Sequence, residues 1–153
     1  LFLISERGES MDKRISYAEI IASVMLFGSG LLTLVRGVFW IFENRESVQD
    51  FPLYAALNHA MPIWAWGVMF AVSGLMVIGA SWQMPRRTTG KSFGWFLLVG
   101  GLGSSVAYFI IAIAGFDSAS NWMTPAQYIT LSGMNGFLAF LGGVRVWAAK
   151  DTY

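Results

Sequence analysis

Four runs of mostly apolar residues divide the chain, at about 16–42, 62–84, 93–116 and 126–147. Each is long enough for a helix to cross a bilayer, which takes about 20 apolar residues. Strands of a membrane barrel would instead alternate apolar and polar positions over about 10 residues, and stretches such as "FGWFLLVGGLGSSVAYFIIAIAGF" do not. The pattern predicts an all-α fold, an integral membrane four-helix transmembrane bundle. It forms a single transmembrane domain over 1–153, with 1–15 as an N-terminal segment and 148–153 as a tail. Between the first two runs lies "ENRESVQDFPLYAALNHAM". Its first half is charged, and its second half mixes apolar and polar positions. Phe51, Tyr54 and Leu57, or Leu53, Leu57 and Met61, share one helical face there. This predicts a short interfacial helix in the first outer loop, lying along the membrane with its apolar face in the headgroups. Pro52 suits its first turn, and Pro62 suits the start of the second span.

Composition strengthens the membrane reading. Of 153 residues, 56% are hydrophobic and 12% charged, against about 25% charged in soluble domains. A fold this small leaves much of its surface exposed, so lipid must cover the apolar excess. Charge placement then orients the spans. Lys13 and Arg14 precede the first, Arg86, Arg87 and Lys91 join the second to the third, and Arg145 and Lys150 close the chain. The opposite connections carry only Arg45. The positive-inside rule predicts that both termini are cytoplasmic. Aromatic residues gather at the expected span ends, with Trp40, Phe42, Trp64, Trp66, Trp122 and Tyr128 at the outer level and Tyr17, Trp82, Phe93, Trp95 and Trp147 at the inner level. Amphipathic rings favour the headgroup zone. The first span lacks a cleavage site and is too long for a signal peptide. The chain opens "LFLISERGESMDKR", and "ERGES" can be encoded by a purine-rich run resembling a bacterial ribosome-binding site. The expectation is that Met11 is the usual start, with Leu1–Ser10 as upstream sequence or a non-AUG extension, that the source is a bacterium or a bacterial virus, and that the location is a bacterial plasma membrane.

Several chemistries are excluded. Without cysteine there is no disulfide, thiolate metal site or cysteine nucleophile. A net charge of +1 provides no basic face for nucleic acid. The lone His59 falls short of the three or four ligands a metal needs and reads as a polar interfacial residue. No phosphate-binding loop, zinc-protease motif or hydrolase triad is present. No cofactor, metal or enzymatic activity is expected.

The residue that stands out is Arg36, inside "GLLTLVRGVFWIF". It lies about 9 Å below the outer end of its helix. One reading is that it snorkels to the interface. The other uses depth: Tyr108 on the third span and Asn135 on the fourth lie at similar levels, and Asp117 is a nearby counter-charge. A buried charge must be paired or hydrogen-bonded, so Arg36, Tyr108, Asp117 and Asn135 form a candidate polar cluster in the outer half. Glu19 and Arg145, near the cytoplasmic ends of the first and last spans, form a candidate ion pair. Small residues let helices approach closely in lipid, which makes Gly28, Gly30, Gly100, Gly101, Ser104, Gly133 and Gly136 candidate packing positions within the chain or between copies. "VRGVFW" and "VRVW" run in opposite directions and make no internal repeat.

These features predict a small non-enzymatic polytopic membrane protein. It would act by assembly in the bilayer as a homo-oligomer, or by contact with another membrane protein, in an accessory-subunit, immunity, exclusion or holin-like role. The alternative is a small oligomeric channel or transporter built around the Arg36 cluster.

Overall fold

The computed structural model describes residues 17–42, 52–84, 91–118 and 122–148. Among them are five helices: α1 (Tyr17–Phe42), α2 (Pro52–Ala60), α3 (Ile63–Gln83), α4 (Lys91–Ser118) and α5 (Met123–Ala148). All but α2 are long and apolar enough to cross a membrane, and the chain is a multi-pass membrane protein. A helix satisfies its backbone hydrogen bonds internally, which lipid cannot do for it. Prolines sit where helices begin: Pro52 opens α2, Pro62 precedes α3 with an extended ψ of 139°, and Pro125 falls in the first turn of α5. A proline there forfeits no intrahelical bond.

The long helices alternate in direction. α1 packs along α3, α4 along α5, and α3 against α4. The start of α1, the end of α3, the start of α4 and the end of α5 line one shared cavity. Tyr17 and Ala148 therefore lie at the same end of the bundle. Two core clusters fill the interior. The one at the far end includes Trp40, Leu57, Trp66, Phe70 and Tyr108, and the one at the near end includes Leu26, Val77, Phe93 and Leu97.

Three of the expected belt aromatics belong to this core. Trp40 and Trp66 are each 4% exposed and Phe93 is buried, whereas Tyr17, Phe42, Trp64, Trp82, Trp95, Trp122 and Trp147 face outward. Trp40 meets Tyr54 and Phe70 edge-on, at 5.9 and 5.5 Å between ring centroids, a geometry the ring quadrupole favours.

The short helix in the first loop is present as α2, but its apolar face does not lie in the headgroups. Leu57 is 1% exposed, and Leu53, Tyr54 and Met61 pack with it on the end of the bundle. Trp66 Nε1 donates to the Met61 carbonyl at 3.1 Å and fastens the end of α2 to α3. The apolar face finds better partners in Trp40, Phe70 and Tyr108 than in the membrane surface.

The two strongest helix pairs are copies of one arrangement. A methyl group at Gly74 would come within 2.6 Å of the Leu34 nitrogen and 2.7 Å of the Gly30 oxygen. One at Gly142 would overlap the Leu98 nitrogen and come within 2.6 Å of the Gly94 oxygen. Gly37 stands over Ala71 and the Gly67 oxygen, and Gly101 over Ala139 and the Asn135 oxygen, each with 2.7 Å to that oxygen. Gly30 meets Ile78 where Gly94 meets Val146. Gly30, Leu34 and Gly37 thus match Gly94, Leu98 and Gly101 with one constant shift in numbering. Gly67, Ala71, Gly74 and Ile78 match Asn135, Ala139, Gly142 and Val146 with another. The α1–α3 hairpin and the α4–α5 hairpin form a repeat, in a register that "VRGVFW" and "VRVW" do not share. The correspondence lies in where backbones touch, since van der Waals contact at small residues drives association of helices in lipid.

Candidate functional site

Arg36 lies on α1 at the seam facing α4 and α5. Its guanidinium carbon is 5.4 Å from the centre of the Tyr108 ring and 4.9 Å from that of Tyr128. The two rings stack on each other at 6.2 Å and 22°. A cation over a desolvated tyrosine face gains about 2 kcal/mol, and two faces share this one. Tyr108 is fully buried and Thr33 nearly so, and their hydroxyls are 3.4 Å apart. Thr33 gives its proton to the Ser29 carbonyl at 3.0 Å, which leaves Tyr108 as the donor to Thr33 Oγ1. Phe70 packs on the Tyr108 ring at 4.8 Å and holds it in place.

The cluster is not fully satisfied. Arg36 Nη1 and Asn135 Oδ1 are buried without a hydrogen-bond partner among the described residues. Asn135 is 2% exposed, and its amide nitrogen donates to the Leu131 carbonyl of its own helix at 2.8 Å. It lies about 10 Å along α5 from Tyr128 and makes no hydrogen bond to Arg36. Orphaned buried polar atoms cost about 1–3 kcal/mol each.

Of the four residues expected at this site, the structure brings Arg36 and Tyr108 into contact and buries Asn135 nearby. Asp117 is in the last turn of α4, and its side chain lies outside those described. Tyr128 and Thr33 are the additions. The signal for Tyr128 was its place near the outer start of α5, at the level of a reaching Arg36, where it read instead as an interfacial aromatic. Leu1–Ser10 and Met11 also lie outside the described residues.

At the other end, Glu19 lies in the first turn of α1 and Arg145 in the last turn of α5. The Arg145 guanidinium carbon is 5.9 Å from the centre of the Phe93 ring. His59 is exposed in the last turn of α2. Among the described residues, no three His, Asp or Glu side chains come together as metal ligands.

The small residues divide in two. Gly30, Gly100 and Gly101 stand against neighbouring helices, and Gly136 is against Ser105. Ser104 is fully buried and donates to the Gly100 carbonyl of its own helix at 2.8 Å. Gly28 and Gly133 meet nothing within reach and face outward. Ser105 and Ser132 clamp α4 to α5 reciprocally, each hydroxyl reaching the other's carbonyl, at 2.9 and 2.8 Å.

Between α1 and α5 the near half of the bundle is open. A cavity of about 430 Å³ lies there, lined by residues that include Met25, Leu26, Phe93, Leu138 and Arg145. Met25, Met134 and Phe137 on its walls are more than half exposed, so it opens sideways. No protein-family model matches the sequence, and no curated protein or solved structure matches it.

Proposed function

We propose that this chain is a small non-enzymatic membrane protein that acts through contacts made within the bilayer, with further copies of itself or with another membrane protein. The observation carrying this reading is the outward surface of α1 and α5. Large apolar side chains alternate there with the uncovered glycines Gly28 and Gly133. Such glycines let a second helix approach closely, and inside this bundle they touch nothing. The basic connections support an orientation with both ends of the chain in the cytoplasm, and a bacterial plasma membrane fits the purine-rich coding capacity of "ERGES". An accessory-subunit, immunity, exclusion or holin-like role belongs to this class.

The test is assembly in a bilayer. Fluorescently tagged chains at increasing density in vesicles should show energy transfer above the random-proximity level. Gly133→Leu should reduce that transfer at least several-fold while helix content is unchanged. Transfer no higher than for a non-associating span would end this reading. Release of a trapped dye that rises steeply with protein density would narrow it to a pore former.

A second reading, a small oligomeric channel or transporter, is favoured by the orphaned Arg36 Nη1 and Asn135 Oδ1. Buried polar atoms without partners are potential contacts for a passing ion. Anion flux into vesicles that Arg36→Leu abolishes would support it, and equal flux in both proteins would remove it.

A further inference from the structure

We propose that the open groove between α1 and α5 is a binding site for one acyl chain of an anionic phospholipid, with Arg145 against the headgroup phosphate.

The repeat does not carry across the α1–α5 seam. Numbering alone would set Arg36, the counterpart of Gly100, against Leu141 and Arg145, the counterparts of Ser73 and Val77, but Arg36 stands beside Tyr128, about 20 Å along α5 from Leu141. The α3–α4 seam is tight because α4 presents Gly100, where a methyl would come within 2.9 Å of the Ser73 carbonyl oxygen and of Met76 Cβ. The α1–α5 seam is filled in its far half by the Arg36 side chain against Tyr108 and Tyr128. Below that stack it is left open as the cavity of about 430 Å³. This size falls within the range of about 300–1,000 Å³ that ligand sites occupy.

Depth and charge select the occupant. The α5 wall runs from Met134 to Arg145, about 16 Å of helix. That is one leaflet of a hydrocarbon core about 30 Å thick. A partner helix crossing the whole membrane would need the seam to stay open throughout, and the Arg36–Tyr108–Tyr128 stack closes it halfway. An acyl chain from a single leaflet needs only the half that is open. The walls are apolar apart from Ser29 and the guanidinium of Arg145. Arg145 stands in the last turn of α5, at the level where Lys91 begins α4. A phosphate at that rim would meet a planar donor fork suited to it.

The experiment uses the full chain, reconstituted in bilayers of equal parts phosphatidylglycerol and phosphatidylcholine and then extracted in mild detergent. Native mass spectrometry counts the lipid retained per chain. The expected result is one retained lipid, with phosphatidylglycerol enriched several-fold, because its headgroup keeps a net negative charge beside Arg145 whereas phosphatidylcholine offsets the same phosphate with its own cation. Arg145→Gln should bring the two lipids to parity without emptying the groove. Leu138→Trp and Ala22→Trp, which fill the cavity from opposite walls, should each lose the lipid while keeping wild-type helix content. Deleting Leu1–Ser10 should change nothing. Equal retention of both lipids by the wild type overturns the proposal. So does lipid that survives either tryptophan, and so does lipid that enters only after the deletion, which would assign the groove to the chain's own N-terminal segment.

Discussion

Arg36 shows what one residue can decide inside a membrane. A guanidinium in the hydrocarbon region is costly, and here its partners are two stacked tyrosine faces in place of a carboxylate among the described side chains. Its side chain also occupies the far half of the α1–α5 seam, so it acts by its bulk as well. Arg36→Gly should let α1 and α5 close. The chain has no cysteine, so Ser29→Cys with Met134→Cys introduces the only thiols, both on the groove walls. Oxidative cross-linking of that pair should rise several-fold in the Arg36→Gly background, and an unchanged yield would show that the guanidinium does not hold the seam apart. The Arg36–Tyr108 contact was legible in the sequence because depth in a helix is arithmetic at about 1.5 Å per residue. The roles of Tyr128 and Thr33 were not, because depth says nothing about which way a side chain faces around its helix.

At the scale of elements, the helices hold together through small residues in matched register. Each hairpin carries its glycines about two turns apart, so that one backbone rests in the notch of the other. Gly74→Val and Gly142→Val push a side chain into backbone that cannot yield, and each should destabilise the fold by about 2 kcal/mol or more. The two should cost similar amounts, since they occupy equivalent places. Gly28→Val and Gly133→Val, which meet open space, should stay within about 0.5 kcal/mol of wild type. Unfolding by denaturing detergent, followed through tryptophan fluorescence, measures all four. Equal losses at all four positions would refute the register. Glycine content was visible in the sequence, but Gly28 and Gly133 looked no different there from Gly30 and Gly101. The repeat was hidden for the same reason: its matched positions are few and scattered, and only contact geometry aligns them. The first-loop helix was legible as a helix from its spacing. Its burial against the bundle depended on the aromatic cluster waiting for Leu57.

For the molecule as a whole, the proposed orientation rests on charge: Lys and Arg resist transfer across the membrane, which favours the basic connections on the inner side. A single cysteine at Thr88 should be shielded from an impermeant maleimide in intact cells and labelled in inverted vesicles, and one at Ser120 should do the reverse. Labelling of Thr88→Cys from outside would invert the topology.

By itself the sequence determined that this chain has four apolar helices of membrane-crossing length, because hydropathy and length are sums over neighbouring residues that lipid reads directly. It also determined which ends carry positive charge. Tertiary structure alone decided that two hairpins share one packing register, that Trp40 and Trp66 are core while Trp64 is surface, and that the α1–α5 seam stays open beneath Arg36. Those outcomes depend on which sides of separate helices meet, and no local pattern encodes the rotation of one helix against another.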